Sequence, residues 1–281
     1  MPGIDGLMTM SGFLFALSLC LLLAYFALSW HHIGHWKGHA VLPRAPRIEH
    51  GVLGLVLLAH AVLVLLPLLS GAHLDLGLGR ALSTVVWLML LIYWTSSFFY
   101  RVEGLQLLML PLAVVALGVE LLLPGHHLSY ELANPLFALH LLVSMLAYSL
   151  FAIAALLAML MLVLDRALHA RRATAFTRQL PPLLSLEAMM FQVIAVGFAL
   201  LTVSLLTGIL FSEQMFATPF TLNHKIVFAC AAWLVFGGLL LGRVRHGWRG
   251  RLAVRWTLSG FGLLLVGYIG SKIVLELLLG R

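Results

Sequence analysis

The sequence predicts an all-α protein, a polytopic integral membrane bundle of about eight transmembrane helices with both termini outside. Three observations carry this. Of the 281 residues, 62% are hydrophobic and only 10% are charged, too few charged side chains to wrap a soluble core in a polar shell, so lipid must do the covering. Eight apolar stretches meet or approach the ~20 residues that a helix needs to cross a ~30 Å hydrocarbon core. Lysine and arginine gather in alternate loops, the pattern of short cytoplasmic connections.

The spans follow in order. Span one is placed at 7–30. Met1 to Asp5 contains no lysine or arginine, the apolar run is long, and no Ala-x-Ala site follows, so the span is expected to stay in the mature protein. The loop after it carries Lys37, Arg44 and Arg47. Spans two and three are placed at 49–71 and 81–100, with Arg101 after the third, and span four at 104–124. Asn134-Pro135 opens span five (135–165) as an N-cap followed by proline at the first helical position. The loop after it carries Arg166, Arg171, Arg172 and Arg178 and ends in Gln179-Leu180-Pro181-Pro182, which cannot continue a helix. Span six is placed at 185–212. Thr218-Pro219 opens span seven (219–242), which is followed by Arg243, Arg245, Arg249, Arg251 and Arg255. Span eight is placed at 254–279.

Thirteen of the 17 basic residues thus lie in alternate loops, and the opposite side holds only Arg80, Lys225, Lys272 and Arg281. The net charge of +7 is therefore topological, and no nucleic-acid partner is expected. The stretch Arg243 to Arg255 could also meet anionic lipid or a cytoplasmic partner. Linkers are short and composition does not shift, so a single transmembrane domain is expected over 1–281. Cys20 and Cys230 sit in apolar runs without Cys-x-x-Cys spacing and read as packing residues.

Thirteen histidines against ten acidic residues is an unusual ratio, and position sorts them. Most fall in loops or at their edges. The run His31-His32-Ile33-Gly34-His35-Trp36-Lys37-Gly38-His39 brings no cysteine, aspartate or glutamate at a fixed offset, so as a metal motif its spacing is weak. His60, His140 and His224 fall within spans, where an ionisable residue is a functional-site hypothesis by default. His140 and His224 each follow a helix-opening proline by five residues, which at ~1.5 Å per residue sets both imidazoles ~7.5 Å inside the outer ends of two helices running the same way.

Matched depth is what the axial ligands of a haem iron need, and the outer leaflet edge offers an apolar slot beside water and cations for the propionates. Lys225 follows His224 directly, and Lys272 lies about seven residues from the outer end of span eight, where it can snorkel toward propionates or pair with Glu276 one turn on. Two hydrogen-bonded core histidines are the alternative for His140 and His224. His60 is open between a second haem contact, an entry-path residue and a hydrogen-bonded core histidine. Ser144 and Tyr148, at i+4 and i+8 from His140, continue a polar stripe that suits a cavity wall or a helix–helix seam.

Catalysis finds no support. The chain has no Gly-x-Ser-x-Gly, Walker loop, His-Glu-x-x-His or dinucleotide fingerprint. Asp75, Glu103, Asp165 and Glu187 read as interfacial caps. A transporter or transporter accessory for a small cation or metal is the alternative function, with His60, His140, His224 and Glu120 lining a polar path. A regulatory subunit whose arginine-rich loops recruit a partner is a third.

The segments Asn134-Pro135-Leu136-Phe137-Ala138-Leu139-His140 with Leu141 to Tyr148, and Asn223-His224-Lys225 with the span ending Leu241-Gly242-Arg243, are similar to the CcsA-like and HemX-like cytochrome c assembly membrane proteins. Gly247-Trp248-Arg249-Gly250-Arg251 and Gly270-Ser271-Lys272 resemble the YpjD-type branch. The likeness is clearest over 134–281. It implies a multi-pass protein of the bacterial inner membrane that handles haem, here haem b, beside other cytochrome c maturation components. It also implies that His140 and His224 are the axial ligands of the haem iron. The family's haem-presenting members carry a tryptophan-rich outer segment ending in Trp-Asp; here Phe211 to Pro219 holds no tryptophan.

Overall fold

The computed structural model describes residues 4–39, 43–69, 74–75, 77–100, 104–123, 129–130, 135–170, 180–210 and 224–270. The described residues form eight helices and one pair of two-residue strands, grouped into two compact units, 1–131 and 132–281. Six of the helices are long and apolar enough to cross a membrane, and a seventh, Gln106–Leu122, is apolar but shorter. The protein is a polytopic membrane helical bundle.

The first unit contains α1 (Ile4–Lys37), α2 (Pro46–Leu69), α3 (Leu78–Ser96) and α4 (Gln106–Leu122), with β1 (Leu74–Asp75) antiparallel to β2 (Ser129–Tyr130), Leu74 facing Tyr130. The helices pack in a ring, α1 on α2, α2 on α3, α3 on α4 and α4 on α1. Tyr25, Leu63, Met89, Leu90, Met109 and Leu117 fill its middle. Proline at 67 lies inside α2, and having no N–H it leaves the Leu63 carbonyl without its helical donor. Arg80 of α3 supplies one, its Nη1 donating to that carbonyl at 2.9 Å. The same guanidinium pairs with Glu120 of α4, Nε to Oε1 at 3.0 Å. Gly79 lets α3 and α4 approach here, since a Cβ at this position would lie 2.4 Å from the Glu120 Cα.

The second unit contains α5 (Pro135–His169), α6 (Leu183–Leu210), α7 (His224–His246) and α8 (Gly250–Leu265), the last continuing into a π-helical turn, Val266–Gly270. Here too the helices form a ring: α5 and α7 are each packed on both α6 and α8, which puts α5 and α7 on opposite corners. Phe151 of α5 and Phe236 of α7 meet in the middle, stacked with centroids 3.9 Å apart and planes 16° from parallel, both with no exposed surface. The flanking helices make room with glycine. A Cβ at Gly197 of α6 would come within 3.2 Å of the Phe151 ring, and one at Gly260 of α8 within 2.8 Å of Phe236.

At the arginine-rich end, α7 closes on Gly247, in the left-handed region at φ 65°, and the Trp248 amide donates back to the Gly242 carbonyl at 3.2 Å. The Gly247 amide donates to the Arg243 carbonyl at 3.2 Å, the five-to-one closure of an αL stop. Glu187 of α6, nearly buried, ties the turn down. It accepts from Arg243 Nη1 at 2.7 Å and from the Gly250 amide at 2.8 Å. Arg243 also lies 4.5 Å above the Phe191 ring. Glu187, expected as an interfacial cap, therefore holds the Gly247-Trp248-Arg249-Gly250 segment between α7 and α8.

Most expected spans agree with the helices to within a turn or two. Two differ for identifiable reasons. α1 runs on to Lys37, beyond the expected end at 30, because nothing in the histidine-rich run breaks a helix before Gly38 (φ 74°). The helix in the seventh span is described from His224. The expected Thr218-Pro219 opening lies outside the described residues, as do Arg171, Arg172 and Arg178.

Candidate functional site

His140 stands in the second turn of α5, which opens on Pro135 as the sequence predicts. Its Nδ1 lies 3.0 Å from Oγ1 of Thr207 on α6. The Thr207 hydroxyl donates into its own helix, to the carbonyls of Val203 and Ser204 at 2.9 and 3.0 Å. With its proton directed there, Thr207 can accept from the histidine, and the tautomer that fits this arrangement has its hydrogen on Nδ1 and its lone pair on Nε2. Such a bond to one ring nitrogen sets the tautomer and orientation of a ligating histidine. Gly208 provides the space, because a Cβ there would lie 3.2 Å from the imidazole Cε1.

The polar stripe below His140 is a helix seam. Ser144 donates to the His140 carbonyl at 2.6 Å and lies 2.7 Å from the Ser204 hydroxyl of α6, which then donates to it. Tyr148 faces Tyr268 of the π-helical turn, with ring centroids 5.7 Å apart. Serine and threonine bonded between apolar helices join them where water is absent.

His224 is the first described residue of α7 and is exposed, whereas Lys225 is half-buried. The Phe151–Phe236 stack fixes the relative level of the two histidines. His140 precedes Phe151 by 11 residues and His224 precedes Phe236 by 12, or about 16.5 and 18 Å along helices running the same way. On ideal helices the two positions therefore stand at similar distances from the stack, about 1.5 Å different. Their facing differs. At about 100° per residue His140 returns to within about 20° of the inward side marked by Phe151, while His224 stands about 120° round from Phe236. His224 shares a row with Phe228, whose Cβ would lie 2.7 Å from a Cβ built on Gly267 beyond α8, so it flanks the α8 side. Lys225 shares the inward row with Ala232 and Phe236.

The remaining expected residues lie elsewhere. His60 belongs to the first unit and has no exposed surface. Its Nδ1 is 3.1 Å from the Tyr25 hydroxyl and its Nε2 is 3.0 Å from the Ser83 hydroxyl, so the imidazole links α1, α2 and α3 with both nitrogens bonded. Glu120 is the partner of Arg80 described above. Lys272 and Glu276 lie outside the described residues. Thr207, Ser204 and Tyr268 were not anticipated. Ser204 and Thr207 are three apart on one face of a largely apolar span, a signal available in the sequence.

The fold and this arrangement define a polytopic helical membrane protein with a histidine site at the end of its second unit that the basic residues place outside. It belongs to the cytochrome c assembly protein family, whose sequence profile matches residues 50–279. The chain is 32% identical over 166 residues to the inner membrane protein YpjD of Escherichia coli (strain K12), covering 59% of this chain and 62% of that one. It is 36% identical over 142 residues to an uncharacterised 28.8 kDa protein of Azospirillum brasilense, covering 50% and 52%. To the cytochrome c biogenesis protein CcsA of Prochlorococcus marinus (strain MIT 9515) it is 33% identical over 85 residues, 30% of this chain and 27% of that one. The chain thus matches less than two thirds of the length of these relatives.

Proposed function

We propose that this chain is a multi-pass protein of the bacterial inner membrane that binds haem b near the outer leaflet and takes part in cytochrome c biogenesis. His140 and His224 serve as the axial ligands, Lys225 and Lys272 meet the propionates, and the haem is cargo, so the role is binding and carrying without catalytic residues. Family membership and the similarity to proteins named for cytochrome c biogenesis support the setting.

The observation that carries the reading is the Thr207 bond to His140. A ligand needs its lone pair on a defined nitrogen and its ring held still, and a bond at Nδ1 serves both needs. The residues present suit an iron porphyrin: two imidazoles on helices of one ring, the rings of Tyr148 and Tyr268 on the same helix seam, and a lysine beside His224 for a carboxylate. In this reading His140 is the fixed ligand and His224, exposed at the helix end, is the exchangeable one. A carrier has to release its cargo, and one labile ligand serves that end. Lipid and other cytochrome c maturation components are the partners.

A pyridine haemochrome assay on protein purified in detergent tests the proposal. About one b-type haem per chain is expected. Protein that remains haem-free after expression with added haem precursor, yet is folded, contradicts it.

A further inference from the structure

Among the described residues, a second cluster lies in the first unit at the end of α1 that the charge distribution places in the cytoplasm. His31 and His35 are four apart on one face of α1, with ring centroids 4.6 Å apart. Glu49, in the first turn of α2, faces them, its Oε1 3.2 Å from Nε2 of His31. One ligand atom from each of the three lies within 4.8 Å of the others. Ligand atoms around one first-row metal stand about 3 to 4 Å apart at metal–ligand distances near 2.1 Å, so modest side-chain rotation closes the set.

The surroundings hold the carboxylate in place. The Ala45 amide donates to Glu49 Oε1 at 3.0 Å. His32 approaches the other oxygen at 3.9 Å and is itself 3.2 Å from Nε2 of Gln106 on α4. A second observation points at a missing partner. Nε2 of His35 is buried and has no hydrogen-bond partner among the described residues. An orphaned buried nitrogen is costly, and a metal ion or its bound water would satisfy it.

We propose that His31, His35 and Glu49 form a binding site for a first-row divalent transition metal such as Zn2+, with an open position for water. The donor set decides the class. Two imidazoles and one carboxylate favour zinc, cobalt or nickel over magnesium and calcium, which want oxygen. Exposed Lys37, Arg44 and Arg47 disfavour any cation held by charge alone, which again selects ions that bond to nitrogen. The ion would clamp α1 to α2. The site is independent of the haem reading, which rests on the second unit.

Zn2+ alone, titrated into EDTA-stripped full-length protein carrying no histidine tag, tests this. One equivalent is expected to bind and raise the Tm, while Mg2+ does neither. His35→Ala and Glu49→Gln are each expected to weaken Zn2+ binding at least tenfold and to abolish the Tm shift, and His140→Ala to leave both unchanged. Glu49→Gln keeps the shape of the side chain and its acceptor for the Ala45 amide, so it guards against misfolding. If both variants fail to fold, Co2+ added to the parent protein decides. Intense visible ligand-field bands support the site, and the weak bands of the hexaaqua ion overturn it. Zn2+ binding that is absent, or indifferent to both folded variants, also overturns it, leaving His31 and Glu49 as an ion pair only.

Discussion

Phe151 and Phe236 stack 3.9 Å apart at the centre of the second unit, and this contact between opposite corners of a four-helix ring sets the level at which α5 and α7 present His140 and His224. Truncating either ring removes a buried aromatic and leaves a cavity, which costs about 3–5 kcal/mol. Phe236→Ala is expected to lower the Tm in detergent sharply and to weaken haem retention along with it. A loss below about 1 kcal/mol would show that the helices keep their register without the stack.

Thr207→Val removes the acceptor for His140 Nδ1 at nearly constant volume. Loss of such a supporting bond typically weakens a metal site by about 10–100-fold, so faster haem loss to a scavenging apoprotein is expected, with a small fall in Tm from the Nδ1–H left without its acceptor. Thr207→Ser should restore retention. Equal off-rates in all three proteins would remove Thr207 from the account.

Glu187 is a nearly buried carboxylate shared by Arg243 and the Gly250 amide. Breaking a buried pair from one side costs about 3–5 kcal/mol. Glu187→Ala is expected to destabilise the protein by the lower end of that range and to speed proteolysis between α7 and α8, with haem stoichiometry retained in the surviving fraction. Thermal unfolding and limited trypsinolysis at Arg249 and Arg251 check this.

His60 has both nitrogens bonded, to Tyr25 and Ser83. His60→Ala is expected to lower the Tm by leaving two buried hydroxyls with one partner fewer, and to leave the haem spectrum unaltered. A changed Soret band in folded His60→Ala protein would instead assign this imidazole to a haem.

What the sequence made legible and what it hid divide along a physical line. Features written in one segment were readable: Pro135 opens α5 because its missing N–H is harmless there, and eight apolar runs become eight helices. Features joining two segments were not. Thr207 reaches His140 across 67 residues, and Glu49 supplies from α2 the acid that the histidine run of α1 lacks. Facing was also hidden. The shared proline spacing gives depth but no rotation, so nothing in it distinguishes the inward His140 from the flanking His224.

The central claim is that His140 and His224 share one iron, and the absorption spectrum of the two single alanine variants tests it most directly. His140→Ala is expected to lose nearly all the Soret absorbance. His224→Ala should retain part of it, shifted toward a five-coordinate form that binds added imidazole. Parent-like six-coordinate spectra in both folded variants would contradict the account.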